Sequence, residues 1–190
     1  MLPILALYSS EISPRGSDMT QDITVTGQVT AVILRADGSV RQKLEGNNLV
    51  TTMGLRHYAE RFEESFNGTA VTSTFTTFVV GTGSTAADIG DDMADMTQFT
   101  GTTGEQVLAS GYPKIDDDDT DNSGRGAFVL TWHASYGTGT TLSAIREVAI
   151  SIAAPEEVTP DPLLMRHVFG APFTKTTDET LKIFVNHTLA

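Results

Sequence analysis

The chain reads as a mainly β protein: an antiparallel β-sandwich or jelly-roll-like domain with one short amphipathic helix. Three observations predict this. Charged residues make up only 19% of the sequence, and Thr, Gly and Ser take their place, a composition that suits strands and turns better than long helices. Segments with apolar side chains on alternate positions recur from residue 23 to the end of the chain. A single window carries the 3.6-residue spacing of a helix.

The elements follow in order. Ile23, Val25, Val29, Ala31 and Ile33 sit on odd positions and predict a half-buried strand over 23–35. Ala36-Asp37-Gly38-Ser39 supplies a hairpin turn, since Asp-Gly readily takes the backbone angles a tight turn needs. Residues 40–45 return as the partner strand, and Gly46-Asn47-Asn48 is expected to break it. Thr51 or Thr52 then caps a helix over 53–65. Its expected apolar face is Leu55, Tyr58, Ala59 and Phe62, at i, i+3, i+4 and i+7, with Arg56, Glu60, Arg61, Glu63 and Glu64 opposite. Asn67-Gly68 ends it.

Residues 75–80, β-branched and aromatic, predict a strand that finishes in Gly81-Thr82-Gly83. A long polar stretch follows, with ten acidic residues between Asp88 and Asp121 against one base, Lys114. Further strands are expected over 126–133, 141–152, 163–168 and 180–189. A loop bearing Pro155, Pro160 and Pro162 precedes the penultimate one. Leu181, Ile183, Val185 and Leu189 share a face of the last strand with His187. About eight strands and one helix argue for the sandwich class. The organisation is an N-terminal arm, 1–21, and one β-rich domain, 22–190, with an acidic loop region at about 84–124.

Composition excludes several functions. Twenty-four acids against twelve Lys and Arg give a net charge of −12, the wrong sign for displacing phosphate counterions, so no nucleic-acid partner is expected. There is no cysteine, hence no disulfide, thiolate metal site or cysteine nucleophile. The apolar octet Met1–Tyr8 is far too short to span a bilayer and lacks the basic flank of a signal peptide; no membrane partner is expected. Two readings of it stand: a disordered terminus, or an arm whose Leu2, Ile4, Leu5, Leu7 and Tyr8 bury against a neighbouring subunit.

Chemistry is sparse. His57, His133, His167 and His187 stand alone, none with a second ligand at metal-binding spacing. Gly81-Thr82-Gly83-Ser84 lacks the lysine of a phosphate loop. The one metal candidate is Asp119-x-Asp121-x-Ser123-Gly124, where Asp119, Asp121 and Ser123 have the one-three-five oxygen spacing of a calcium loop. The twelfth position from Asp119 is Leu130 rather than glutamate, so it is no EF-hand. A simpler Ca²⁺ loop and a solvated acidic loop both remain; no other cofactor is expected. Carboxylates lie mostly in loops, the strand-borne exception being Glu147 beside Arg146. No residue nominates itself as catalytic, and an enzyme is not expected.

Two sets of short words carry a resemblance. The first is Asn48-Leu49-Val50-Thr51-x-x-Gly54-Leu55 before an amphipathic helix, then a strand ending Gly81-Thr82-Gly83. The second is Ile145-Arg146-Glu147-Val148-Ala149-Ile150, Leu164-Met165-Arg166, Phe173-x-Lys175 and Asp178-x-Thr180-Leu181-x-Ile183. Over roughly 25–189 the chain resembles small structural proteins of tailed bacteriophages, with Ala149 where those usually carry Gly after Glu-Val. The resemblance implies a non-catalytic virion component. A capsid decoration (cement) protein is favoured, bound to the major capsid protein or other virion proteins and self-associated as a homotrimer. A tail-tip or fibre-adaptor protein is the alternative, and an unrelated calcium- or carbohydrate-binding β-sandwich a third.

Overall fold

The computed structural model describes residues 24–67, 74–99, 101–116, 128–152 and 161–189. Nine strands, all paired antiparallel, and one α-helix make up the described chain: β1 (Val25–Leu34), β2 (Val40–Val50), α1 (Thr52–Asn67), β3 (Phe75–Gly81), β4 (Glu105–Val107), β5 (Lys114–Asp116), β6 (Phe128–Tyr136), β7 (Leu142–Ile152), β8 (Leu163–Lys175) and β9 (Thr180–Leu189). The strands form one sheet in the order β4-β3-β7-β8-β2-β1-β9-β6-β5. The mainly β, antiparallel class with a single helix is what the pattern predicts. The sheet is continuous, however, because β2 belongs to both of its halves.

That strand explains the architecture. Val40 to Asn48 pair with β1, while Leu49 and Val50 pair with Arg166 and Met165 of β8. The sheet therefore turns a corner along β2 and curls around the main apolar core, while Val79, Met93, Met96, Ala149 and Leu163 form a second, smaller cluster. Val29, Ala31 and Ile33 of β1, with Leu181, Ile183 and Val185 of β9, face Phe78, Val148 and Ile150 across the main core. Each fully buried aliphatic side chain contributes about 1.5–3 kcal/mol relative to exposure. The far ends of the sheet are stitched together: the Tyr136 hydroxyl lies 3.2 Å from Phe78 O and 3.1 Å from Gly104 O, and Ala109 N–H donates to His133 O at 2.9 Å. β4 and β5, the edge strands, are three residues each, which leaves little unpaired edge for aggregation.

Three sequence expectations need correction. Gly46-Asn47-Asn48 does not break β2. Gly46 lies under the His167 ring, where a Cβ would come 2.4 Å from Cε1, and Asn48 turns inward to bond His187. The polar stretch after residue 84 holds two short strands, β4 and β5, too brief to show a periodicity. The helix presents a rotated face: Gly54, His57 and Tyr58 are buried, whereas Leu55 and Ala59 are exposed. The cause is backbone contact, since a Cβ on Gly54 would sit 2.0 Å from Leu164 O. The glycine, not the leucine, marks the docking face.

Candidate functional site

Two places bring chemically able side chains together. The first is a buried charge cluster beneath the loop after β3. Glu147 on β7 and Arg166 on β8 are fully enclosed, and Asp91 of the loop is nearly so. Arg166 Nη2 donates to Glu147 Oε2 at 2.7 Å and Nε to the same oxygen at 3.1 Å, while Nη1 donates to Asp91 Oδ2 at 2.7 Å. Glu147 Oε1 accepts from Gly83 N and Thr97 N, each at 2.7 Å. Burial works against the Arg166 charge, but its hydrogen bonds to the Asp91 and Glu147 carboxylates outweigh that and raise the pKa. Glu147 accepts four hydrogen bonds, two on each oxygen, so it offers no free lone pair for a reacting proton. The cluster pins residues 81–97 to the sheet.

The glycines of Gly81-Thr82-Gly83 exist for this cluster. A Cβ at Gly81 would lie 2.5 Å, and at Gly83 2.4 Å, from Glu147 Oε1. The other words of the resemblance have similar tasks. Thr51 Oγ1 donates to Leu163 O and accepts from Gly54 N at 3.1 Å, capping α1 against β8. Buried Lys175 donates to Thr140 O at 2.7 Å and Thr176 O at 3.2 Å, with its pKa lowered chiefly by burial. Glu179, the unmatched position between Asp178 and Thr180, pairs with Arg41 of β2.

The second place lies where β1 and β2 part. Inside, Asn48 Nδ2 donates to His187 Nε2 at 2.9 Å, and the ring, its proton on Nδ1, donates to the Tyr58 hydroxyl. Burial pushes the His187 pKa down to about 3 and the Tyr58 pKa up, so both are neutral near pH 7. Gly27 leaves room for this, as a Cβ there would fall 2.0 Å from Asn48 Oδ1. Outside, an open cleft of about 750 Å³ runs between the start of β1, the end of β2, Leu55 of α1 and Ile89.

Among the described residues no group of three or more His, Asp or Glu could hold a metal. No helix among them is long and apolar enough to cross a membrane. Asp119, Asp121 and Ser123 lie outside the described residues, as do Leu2, Ile4, Leu5, Leu7 and Tyr8. The buried pair escaped sequence reasoning, which set Glu147 beside Arg146; its true partner is nineteen residues away. The available signal was a charge inside an otherwise apolar strand, at Leu163-Leu164-Met165-Arg166. No protein-family model, no curated protein and no solved structure matches the chain.

Proposed function

We propose that this protein is a non-catalytic structural component of a tailed-bacteriophage virion: a capsid decoration protein that binds the outer shell and stabilises it through oligomeric contacts. One observation carries the reading. The words that resemble phage structural proteins fall on residues that hold the fold together, from Thr51 and Gly54 through Gly81, Gly83 and Glu147 to Arg166 and Lys175. Their chemistry is spent inside the molecule, as suits a part whose task is shape. The acidic balance favours a position on the outside of the shell, away from packaged DNA. Val107 and Ile115 near the sheet's edges, with Phe128, are each about two-thirds exposed and supply apolar area for self-association as a trimer.

Stoichiometry in purified virions tests this. A decoration protein is present at about one copy per shell subunit, or a simple fraction such as about one third, and weak contacts around a closed oligomer add up to lasting attachment. A few copies per hundred shell subunits would place it in the tail or a fibre adaptor instead. Absence from virions, together with melting that shifts upward on adding Ca²⁺, would favour a calcium-binding module built on Asp119, Asp121 and Ser123.

A further inference from the structure

The cleft at the fork gathers side chains whose chemistry points to a class of ligand. Gln28 of β1 pairs with Asn47 of β2 on one side and with Asn186 of β9 on the other, and Thr26 of β1 pairs with Thr188 of β9. Residues directly opposite one another project from the same face of a sheet, so three carboxamides and two hydroxyls stand together. All five line the cleft. Strands about 4.8 Å apart, with a same-face repeat of about 6.8 Å along each, make them a grid of polar groups.

Each carboxamide offers a carbonyl acceptor and an N–H donor, and each hydroxyl both donates and accepts. A ligand that uses both halves of every group must itself donate and accept at each position, as an array of hydroxyls does. A carboxylate or phosphate only accepts, and would leave the amide carbonyls unused. The grid is also held in place. Thr131 of β6, opposite Asn186, donates its hydroxyl to Asn186 Oδ1 at 3.0 Å, which turns the amide N–H groups away from Thr131. Side chains fixed on paired strands give up little further freedom on binding.

A second wall of the cleft is apolar: Leu49 at the end of β2, Leu55 of α1 and Ile89, all exposed. A sugar ring has the same division, with hydroxyls around its rim and C–H groups on its faces. The volume of about 750 Å³ lies within the range of small-ligand sites. One side-chain row beyond Asn186 on the same face is Phe184, stacked on His133 with ring centroids 4.2 Å apart, which extends the apolar contact toward a further sugar unit. A peptide also donates and accepts along its length, but it joins a sheet chiefly through backbone groups at an edge. Here β9 is paired on both sides, with β1 and β6, and recognition falls to the side chains that stand on it.

We infer that the cleft between β1 and β2 binds a neutral glycan, read by Gln28, Asn47 and Asn186 and packed against Leu49, Leu55 and Ile89. This goes beyond the virion reading and does not depend on it, since binding is measured on the isolated chain and stoichiometry in virions on the particle.

The test is a titration of the isotope-labelled full chain, followed by its amide resonances. The probes are neutral di- and trisaccharides of glucose, galactose, mannose and N-acetylglucosamine. At least one should bind saturably at millimolar concentration and move the amides of Thr26, Gln28, Asn47, Leu49 and Thr188, while Ile33 and Leu181 stay in place. Gln28→Ala, at an exposed position, and Asn186→Ala should each weaken that binding by about three- to tenfold, the loss of one hydrogen bond. Lys43→Ala, on the same face of β2 but two rows beyond Asn47, should leave it unchanged. Silence across the panel, saturable binding of sialylated or sulfated glycans alone, or full affinity in both alanine variants each overturns the inference. So does an uncharged Thr-Val peptide that moves the same amides where the sugars do not, which would assign the cleft to a peptide.

Discussion

The two halves of the sheet are held by different physics. β1, β9 and β6 pair through long, nearly unbroken ladders, and their inner residues alternate with outer ones: Val29, Ala31 and Ile33 beside Leu181, Ile183 and Val185. β3, β7 and β8 pair through ladders interrupted by register shifts, and among their buried residues lie Glu147 and Arg166. Both halves bury apolar side chains, and in the first the inner residues are almost all apolar, so a small trim there leaves no charge unpaired. The second depends on a fully hydrogen-bonded charge cluster, which is intolerant of losing any one member. The short words behind the proposed virion role, Gly81-Thr82-Gly83, Glu147 and Arg166 among them, lie mostly in the intolerant half.

The sharpest way to break that contrast is Arg166→Met. It leaves Glu147 and Asp91 buried without their cation, and should cost about 3–5 kcal/mol in denaturant unfolding. A loss below about 1.5 kcal/mol, the range of Ile→Val in a core, would erase the distinction between the halves.

Next comes acid. His187 is the polar exception within the apolar half. Its folded pKa of about 3 lies below the ordinary 6.5, so the unfolded chain takes up that proton first. The stabilising contribution of the neutral ring is complete above about pH 6.5 and declines as pH falls toward 3, by roughly 3 kcal/mol at about pH 4.5. Burial lowers the pKa of His57 and His167 as well, with the same sign. His187→Gln should flatten the fall in Tm between pH 7 and 4.5; an unaltered slope would mean that the ring does not govern it.

Gly54→Ala probes the joint between the halves, where α1 meets β8. Helix propensity alone would make alanine stabilising by about 1 kcal/mol. The 2.0 Å approach to Leu164 O reverses the sign, and a loss of about 1–3 kcal/mol is expected by thermal unfolding. The smallest effect belongs to Ile33→Val, about 1 kcal/mol, in the half that tolerates a missing methylene best.

This division also governs what the sequence made legible. Alternation in β1 and β9 is a local signal, and so is the hairpin, where Gly38 adopts φ 81° and Ser39 N–H donates to Asp37 Oδ1 at 2.9 Å. Thr51 or Thr52 reads as the helix cap, and Thr51 proves to be it. The continuation of β2 through Gly46 was not legible, because its cause, the His167 ring, lies 121 positions along the chain. Nor was the buried face of α1, fixed by a carbonyl on β8 instead of by the helix's own apolar pattern. Arg166 reaches Asp91 across 75 positions of sequence, a distance over which no spacing rule operates. The cleft follows from a strand that changes partners midway, a topological event without a local signature.

The most direct test of the virion assignment is add-back to shells that lack this chain. Purified protein should bind them saturably, to a count set by the shell lattice, and raise the temperature at which they rupture. Failure to bind, or binding that leaves the rupture temperature unchanged, would contradict a decoration role.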